Sequence, residues 1–482
     1  MERRIAVVRT APAAATLLEM LFALALLFAC TATDRGPGAG ATTDSAASTS
    51  QPTWHADIAP ILSAHCSGCH AAGGLAATLP WTRYEDTAPF GGLIRDSLLN
   101  GSMPPFPAES TERCVPPFPL VGDTHLPLSE VAAVAAWADA GMPLGDPSHP
   151  APLRDPPSHS LAAYDLEFIP PNPITIERRE SDNGRVEDVH ICWAFDMGLD
   201  ETGWLTGLEV LPGNDAVVHH VRIDVGTPAD GRRANPQGWF PCEATAFGER
   251  AASWVPGARP YTTPAGSALP LPAGTHLVMS VHYHVPTDAP QQDSTRLRVR
   301  LSDTPPSREV RYLKIGNDAI RYEDGTGLQP GPNDPEGAEF MVPANTAQHT
   351  ESFTWRVPEE LGELDMWLVG HHMHYAGVDA VLTLQRADPR PGESSEQCLL
   401  HVPAWDFDWQ LFYSYDDPTG QFLRLRPGDL LALRCTYDTT AANTQWAEAM
   451  AQEGITEPIP LPLSEGTMSE MCASLVGVMR AP

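Results

Sequence analysis

The chain has 482 residues, with 61 acidic and 30 basic side chains and a net charge of −31. That balance argues against nucleic acid or an anionic membrane surface as a partner held by charge, and the length leaves room for about three domains of ~150 residues. The acids are scattered along the chain rather than clustered, so they read as a solvated surface. With 49 Pro and 38 Gly and few aromatics, the composition suits turn-rich β structure better than long helices.

The first residues form a targeting segment. Arg3, Arg4 and Arg9 make a positive start, and residues 21–29 make an apolar stretch too short to span a bilayer as a mature helix. Leu27-Phe28-Ala29-Cys30 resembles the bacterial lipoprotein cleavage box, in which the Cys is lipidated and becomes the first residue. An ordinary signal peptide cut near Ala29 or Ala32 is the alternative. Residues 31–52 are rich in Thr, Ala, Ser and Gly and read as a flexible tether. The expected location is the bacterial cell envelope, periplasmic or anchored to the outer membrane, with the lipid as the one membrane attachment.

Cys66-Ser67-Gly68-Cys69-His70 follows. A CxxCH run in an exported chain signals covalent haem, in which two thiols add to the haem and the adjacent His ligates iron; a redox CxxC or a zinc half-site is the alternative. Residues 54–64 read as a short helix leading into the motif. Some thirty residues later comes Gly101-Ser102-Met103-Pro104-Pro105-Phe106, and residues 128–137 read as a helix with Ser129 near its cap. This order resembles small class I cytochromes c. It implies an all-α haem c domain over residues 53–146 with Met103 as second axial ligand; Met142, beyond the helix, is the competitor. Residues 147–163 are Pro-rich and read as a linker.

Residues 164–482 carry short alternating or β-branched runs separated by Gly/Pro/Asp turns, the pattern of antiparallel β-sandwiches rather than βαβ units. Three such runs hold grouped histidines: His219-His220, His282-Tyr283-His284, and His371-His372-Met373-His374. Residues two apart in a strand point the same way, so His372 and His374 can offer both imidazoles to one ion. Imidazole suits copper, zinc and iron(II). No Gly-rich phosphate loop, GxSxG elbow or HExxH is present. Six cysteines remain after Cys30, Cys66 and Cys69, an even number that suggests disulfides in an oxidising compartment.

The ordered motifs are Asp188-x-x-x-Cys192, Val218-His219-His220, Trp239-Phe240-Pro241-Cys242, Val281-His282-Tyr283, His372-x-His374-x-x-Gly377, Gly428-Asp429-Leu430-Leu431-Ala432-x-Arg434-Cys435 and Ser469-Glu470-Met471-Cys472. Together, over about residues 165–482, they resemble the copper type II, ascorbate-dependent monooxygenases, the family of peptidylglycine α-hydroxylating and dopamine β-monooxygenases. The resemblance implies a mainly β fold of two jelly-roll-like sandwiches, residues 164–345 and 346–482, each holding one copper. It implies His219, His220 and His282 at an electron-transfer copper, and His372, His374 and Met471 at the copper where O2 and substrate react. It further implies disulfides Cys192–Cys242 and Cys435–Cys472. Cys114 and Cys398 are left unassigned, and their pairing across domains is a guess. His284 and His371 fall outside the pattern and read as structural or supporting; His190 reads as no ligand, and Met468 is the fallback for Met471.

The sequence departs from the peptide-amidating enzyme where that enzyme holds the peptide carboxylate. Gly370 stands at the position of its Arg, and Ala473 and Leu475 stand where its Asn and Tyr follow the Met-Cys pair. A small neutral or aromatic substrate is therefore expected instead of a peptide. The whole reads as an exported monooxygenase that hydroxylates a C–H bond with O2, with two copper ions and one haem c, its electrons coming from a periplasmic donor or an ascorbate-like reductant. A non-catalytic electron-transfer or copper-binding lipoprotein on the same fold is the main alternative. A zinc hydrolase is weaker, because it leaves Met471 and the haem motif without a role.

Overall fold

In a computed structural model the chain is described over residues 51–482, except 73, 75, 157–159, 181–185, 188, 243–246, 286–288, 332–333, 335–336 and 418. The signal segment, Cys30 and nearly all of the tether lie outside the described residues, as does Asp188.

The regular elements of residues 51–142 are helices. A π-helical turn, Trp54–Ile58, runs into α1 (Ala59–His65), followed by α2 (Gly91–Leu99) and α3 (Leu128–Asp139). Pro60 at the start of α1 suits a position whose N–H has no helical partner. The α3 cap is Pro127, with no side-chain cap bond, so Ser129 lies inside the first turn instead of capping it. Trp54, Ile58, Leu62, Ile94, Val134 and Trp137 close one small apolar core.

The remainder is mainly β. Its principal strands are β1 (Val189–Asp196), β2 (Gly203–Leu211), β3 (Val218–Gly226), β4 (Glu249–Trp254), β5 (Ser267–Leu271), β6 (His276–Tyr283), β7 (Arg296–Ser302) and β8 (Arg308–Gly316). They continue with β9 (His349–Arg356), β10 (Leu364–His372), β11 (Gly377–Gln385), β12 (Glu396–Val402), β13 (Phe412–Ser414), β14 (Leu430–Tyr437) and β15 (Ala473–Arg480). A ten-stranded sheet contains the order β7-β2-β5-β8-β15-β10-β13. One five-stranded sheet contains β1-β6-β3-β4 and another contains β9-β14-β11-β12.

Each five-stranded sheet packs on one end of the long sheet, and the alternation of side chains explains the two cores. In the first lobe Leu208, Leu269 and Leu297 of the long sheet meet Ile191, Ile223 and Met279. In the second, Val369 and Val476 meet Leu382, Leu400 and Leu433. Strand β8 joins the lobes: it pairs in parallel with β5 and antiparallel with β15, so one sheet runs through both. Trp367, Leu368 and Met479 of the second half accordingly sit in the first lobe's core.

The helices share their own core, while residues 105–121, a strap between α2 and α3, lie across the second lobe. Phe106 and Ala108 enter that lobe's core. The Glu109 N–H donates to His401 O over 3.0 Å, and the Val121 N–H donates to Ser414 O over 2.8 Å. Cys114 is bonded to Cys398 on β12. The other disulfides are Cys192–Cys242 and Cys435–Cys472. Three disulfides fit an oxidising compartment. Among the described residues no helix is long and apolar enough to cross a membrane.

Candidate metal centres

The first histidine group is built by strand register. His282 on β6 stands directly opposite His190 on β1 and, on its other side, opposite His220 on β3. Directly opposed residues of antiparallel strands point to the same face, so three imidazoles form a row across three strands. Leu277, Met279 and Val281 face the core from β6, so the row lies on the sheet's other face. The ligand atoms of His190, His220 and His282 all lie within 4.8 Å of one another, a group able to hold a metal ion.

His219 is adjacent to His220 and would point away from it in a regular strand. Here the register shifts: His282 opposes His220 and Tyr283 opposes Val218, which makes His219 the extra residue of a bulge. A bulge re-aims a side chain, and His219 Nδ1 lies 3.2 Å from His220 Nδ1. His282 Nδ1 is likewise 3.2 Å from His220 Nδ1. Burial, together with the neighbouring His282, His219, His372 and His190, holds His220 well below the ordinary imidazole range. It is therefore neutral, the form that binds metal.

The second group sits where β10 ends. His372 is the last residue of β10 and pairs with Ala473 at the start of β15, which places Met471 next to it. His374 lies beyond the strand, in the turn before β11, not on a continued strand as its spacing suggests. The turn is held from below by Glu470, whose carboxyl is fully buried and accepts the N–H groups of His374 (2.9 Å), Ala376 (2.8 Å) and Met471 (3.1 Å). Burial pushes that carboxyl up to about 8 against the pull of these donors. Trp405 Nε1 donates to His374 O, and Tyr437 OH donates to Met471 O.

The imidazole tautomers follow from these contacts. His374 Nδ1 donates to Ser469 O over 3.0 Å, and His372 Nδ1 donates to Gln410 Oε1. Each ring then presents Nε2 as a lone-pair donor, the arrangement in which the far nitrogen fixes the ligating one. His372 Nε2 lies 3.1 Å from Met471 Sδ, a spacing that lets one ion touch both. The His372 and His374 ring centres are 5.3 Å apart. Burial, partly offset by the Gln410 hydrogen bond, pushes His372 down to about 4. The residues present fit a soft-leaning ion held by two nitrogens and a thioether sulfur.

The two groups face each other across Phe407, on the 403–411 loop between β12 and β13. Its ring stacks on His219 at 4.5 Å, with its centre 6.0 Å from that of His374 and 4.0 Å from that of Tyr375. The same loop supplies Gln410, whose Nε2 donates back to Phe407 O. Sequence reasoning missed both residues, since a lone Phe and Gln in a loop carry no signal. It also set aside His190, whose place opposite His282 depends on strand register.

Of the other sequence candidates, His371 points into the second lobe and contacts Leu400 O, apart from the His372 pair. A Cβ on Gly370 would come within 2.4 Å of the Phe412 ring, so no larger side chain fits there without moving Phe412. In the helical segment Cys66 and Cys69 are unbridged, and burial, then Cys69, pushes the Cys66 thiol up to about 12. His70 stacks on Trp81 at 3.6 Å and its Nδ1 donates to Leu79 O, which leaves the lone pair on Nε2. This donor set fits covalent haem. Met142 packs against Gly91 and Trp137 inside the helical core, while Met103 follows α2, its N–H donating to Ser97 O.

No family model and no curated protein matches this chain. Solved structures found by shape include an infectious bursal disease virus VP2 subviral particle, at 10% identity over 66% of this chain and 80% of that one, with a TM-score of 0.09. The Gx strain of that virus stands at 9% identity over 66% and 82%, also with a TM-score of 0.09.

Proposed function

We propose that this chain is a copper monooxygenase of the cell envelope that hydroxylates a C–H bond of a small, largely apolar substrate with O2. The observation that carries the reading is the pair of unlike donor sets on either side of Phe407. One is all imidazole, around His219, His220 and His282; the other is His372, His374 and Met471. When bound, copper ions supply one-electron exchange and reaction with O2, chemistry that no side chain here provides.

The protein's own residues do the rest. His372 and His374 keep a fixed tautomer through Gln410 and Ser469 O. Glu470, Tyr437 and the Cys435–Cys472 bond hold the backbone that carries Met471. Phe407, Tyr375 and Phe412 make the surroundings apolar, and Gly370 under Phe412 leaves no place for a carboxylate-binding Arg. The haem c assigned to Cys66, Cys69 and His70, with Met103 as further ligand, is the entry point for electrons from a periplasmic or ascorbate-like donor.

The test is made on the full chain, exported and matured with haem and copper. Two copper and one haem per chain, with substrate-dependent O2 uptake and one atom of 18O2 in the product, are expected from a screen of small aromatic and aliphatic compounds. Copper and haem bound in full, with no substrate-dependent O2 uptake across the screen, would convert the reading to a non-catalytic electron-transfer protein.

A further inference from the structure

We propose that His190 is a fourth nitrogen donor of the first centre, completing a four-imidazole set with His219, His220 and His282. The inference rests on the reading that this cluster holds copper, and adds a ligand to it. Three facts carry it. First, His190 is directly opposite His282, which is directly opposite His220, so the three share one face of adjacent strands by register alone. Second, it is His190, with His220 and His282, whose ligand atoms come within 4.8 Å of one another. Third, the bulge at His219 brings a further imidazole to the same place, with its Nδ1 3.2 Å from that of His220.

A purely structural role for His190 is the competing account, since its ring stacks on His282 with centres 4.4 Å apart and planes 9° from parallel. An ion binds an imidazole in the plane of the ring, and two parallel planes share no such point. Ligation by both therefore requires one ring to turn about its side-chain torsions, with no change in backbone. Rotation about the last side-chain bond of histidine has broad wells, and the register keeps the Cβ atoms close throughout.

The consequence is a division of labour between the centres. Four imidazole nitrogens would suit Cu(II), while the thioether of Met471 would suit Cu(I). The first centre would then have the lower reduction potential and would be the one that donates electrons to the second.

The experiment uses the full-length, disulfide-intact protein with His374→Ala to empty the second centre, loaded with one equivalent of Cu(II). Pulsed EPR counts the coordinated imidazoles, and a competing chelator gives the affinity. Four imidazoles are expected, falling to three in the additional His190→Ala variant, with Cu(II) affinity lowered about tenfold or more. The count on unaltered His190 needs no variant at that site and stands even if His190→Ala folds poorly. Copper bound by three imidazoles, with a spectrum unchanged by His190→Ala, overturns the fourth ligand and leaves the copper reading intact. No copper at the cluster overturns both.

Discussion

Removing the Cys435–Cys472 disulfide by the double change Cys435→Ala and Cys472→Ala should weaken the second lobe and its metal site together, leaving the first centre alone. The bond joins β14 to the residue next to Met471 and closes a loop with a sequence separation of 37. Loop-closure entropy for a crosslink of that span is about 3.8 kcal/mol at 25 °C. Both cysteines are fully buried, so the lost sulfur atoms also leave unfilled space. A loss of about 4 kcal/mol is a large part of the 5–15 kcal/mol typical of a folded domain, yet it permits folding. Urea unfolding followed by tryptophan fluorescence reads it, since Trp446 is fully buried in the same core. Titration of each centre with Cu(II) reads the site. The His219–His220–His282 group rests on another sheet with its own disulfide, Cys192–Cys242, so its affinity should hold. A stability loss under about 1 kcal/mol, or an equal fall in affinity at both centres, would refute the claim that this bond fixes Met471.

Other substitutions probe separate contacts. Gln410→Leu removes the acceptor that sets the His372 tautomer and should lower metal affinity at the second centre by about 10–100-fold; Gln410→Glu, which keeps an acceptor oxygen, should restore most of it in the same titration. Phe407→Ala empties a buried ring site and should cost about 3–5 kcal/mol in denaturant unfolding, while raising the turnover of bulkier substrates relative to small ones. Asp365 is buried between Arg308 and Arg424; Asp365→Asn takes the carboxylate from Arg308, while Arg424 keeps Glu363, and should cost about 3 kcal/mol in the same assay. For the strap, burial raises the Asp379 carboxyl, but hydrogen bonding to His401 and nearby positive charge outweigh it and hold it below the usual range. A depressed carboxyl contributes stability above its unfolded value, which is lost as pH falls through the folded one. Wild type should lose that contribution below about pH 4, and Asp379→Asn should flatten this limb of the stability–pH curve.

How much of this was legible in the sequence depended on whether the signal was local. Strands β7, β11 and β14 follow from their alternation, and the helix at residues 128–139 from its apolar run. Nothing local marks β8 as a strand shared by both lobes, because its partners β5 and β15 lie some 40 residues before it and over 150 after. The histidines divide in the same way. The pair at 372 and 374 was visible as spacing, although the geometry is set by Glu470 gripping a turn, not by a strand. His219 and His220 as near neighbours on one side of a sheet contradict strict alternation. Only the bulge opposite His282–Tyr283 reconciles them. Such a bulge is a property of two strands about 60 residues apart, so the single sequence does not display it.

The strap gives these separate pieces a common frame. It leaves the small helical core, crosses the second lobe, and is fixed there by Cys114–Cys398, by the Glu109 N–H to His401 O, and by the bond of Thr111 Oγ1 to His401 Nδ1 at 3.0 Å. Its Phe106 meets Tyr413 of β13 at 5.1 Å, and β13 pairs with the end of β10, Tyr413 opposite Val369 and Phe412 opposite Gly370. The helical segment that carries the CxxCH run is thus tied, through the strap, to the strand that ends in His372. The two lobes share one continuous sheet, and Phe407 of one lobe rests on His219 of the other. The proposed enzyme would take electrons at one point and spend them at another, and would need each station held at a fixed place. The strap, the shared sheet and the 403–411 loop are the parts of this fold that would do so.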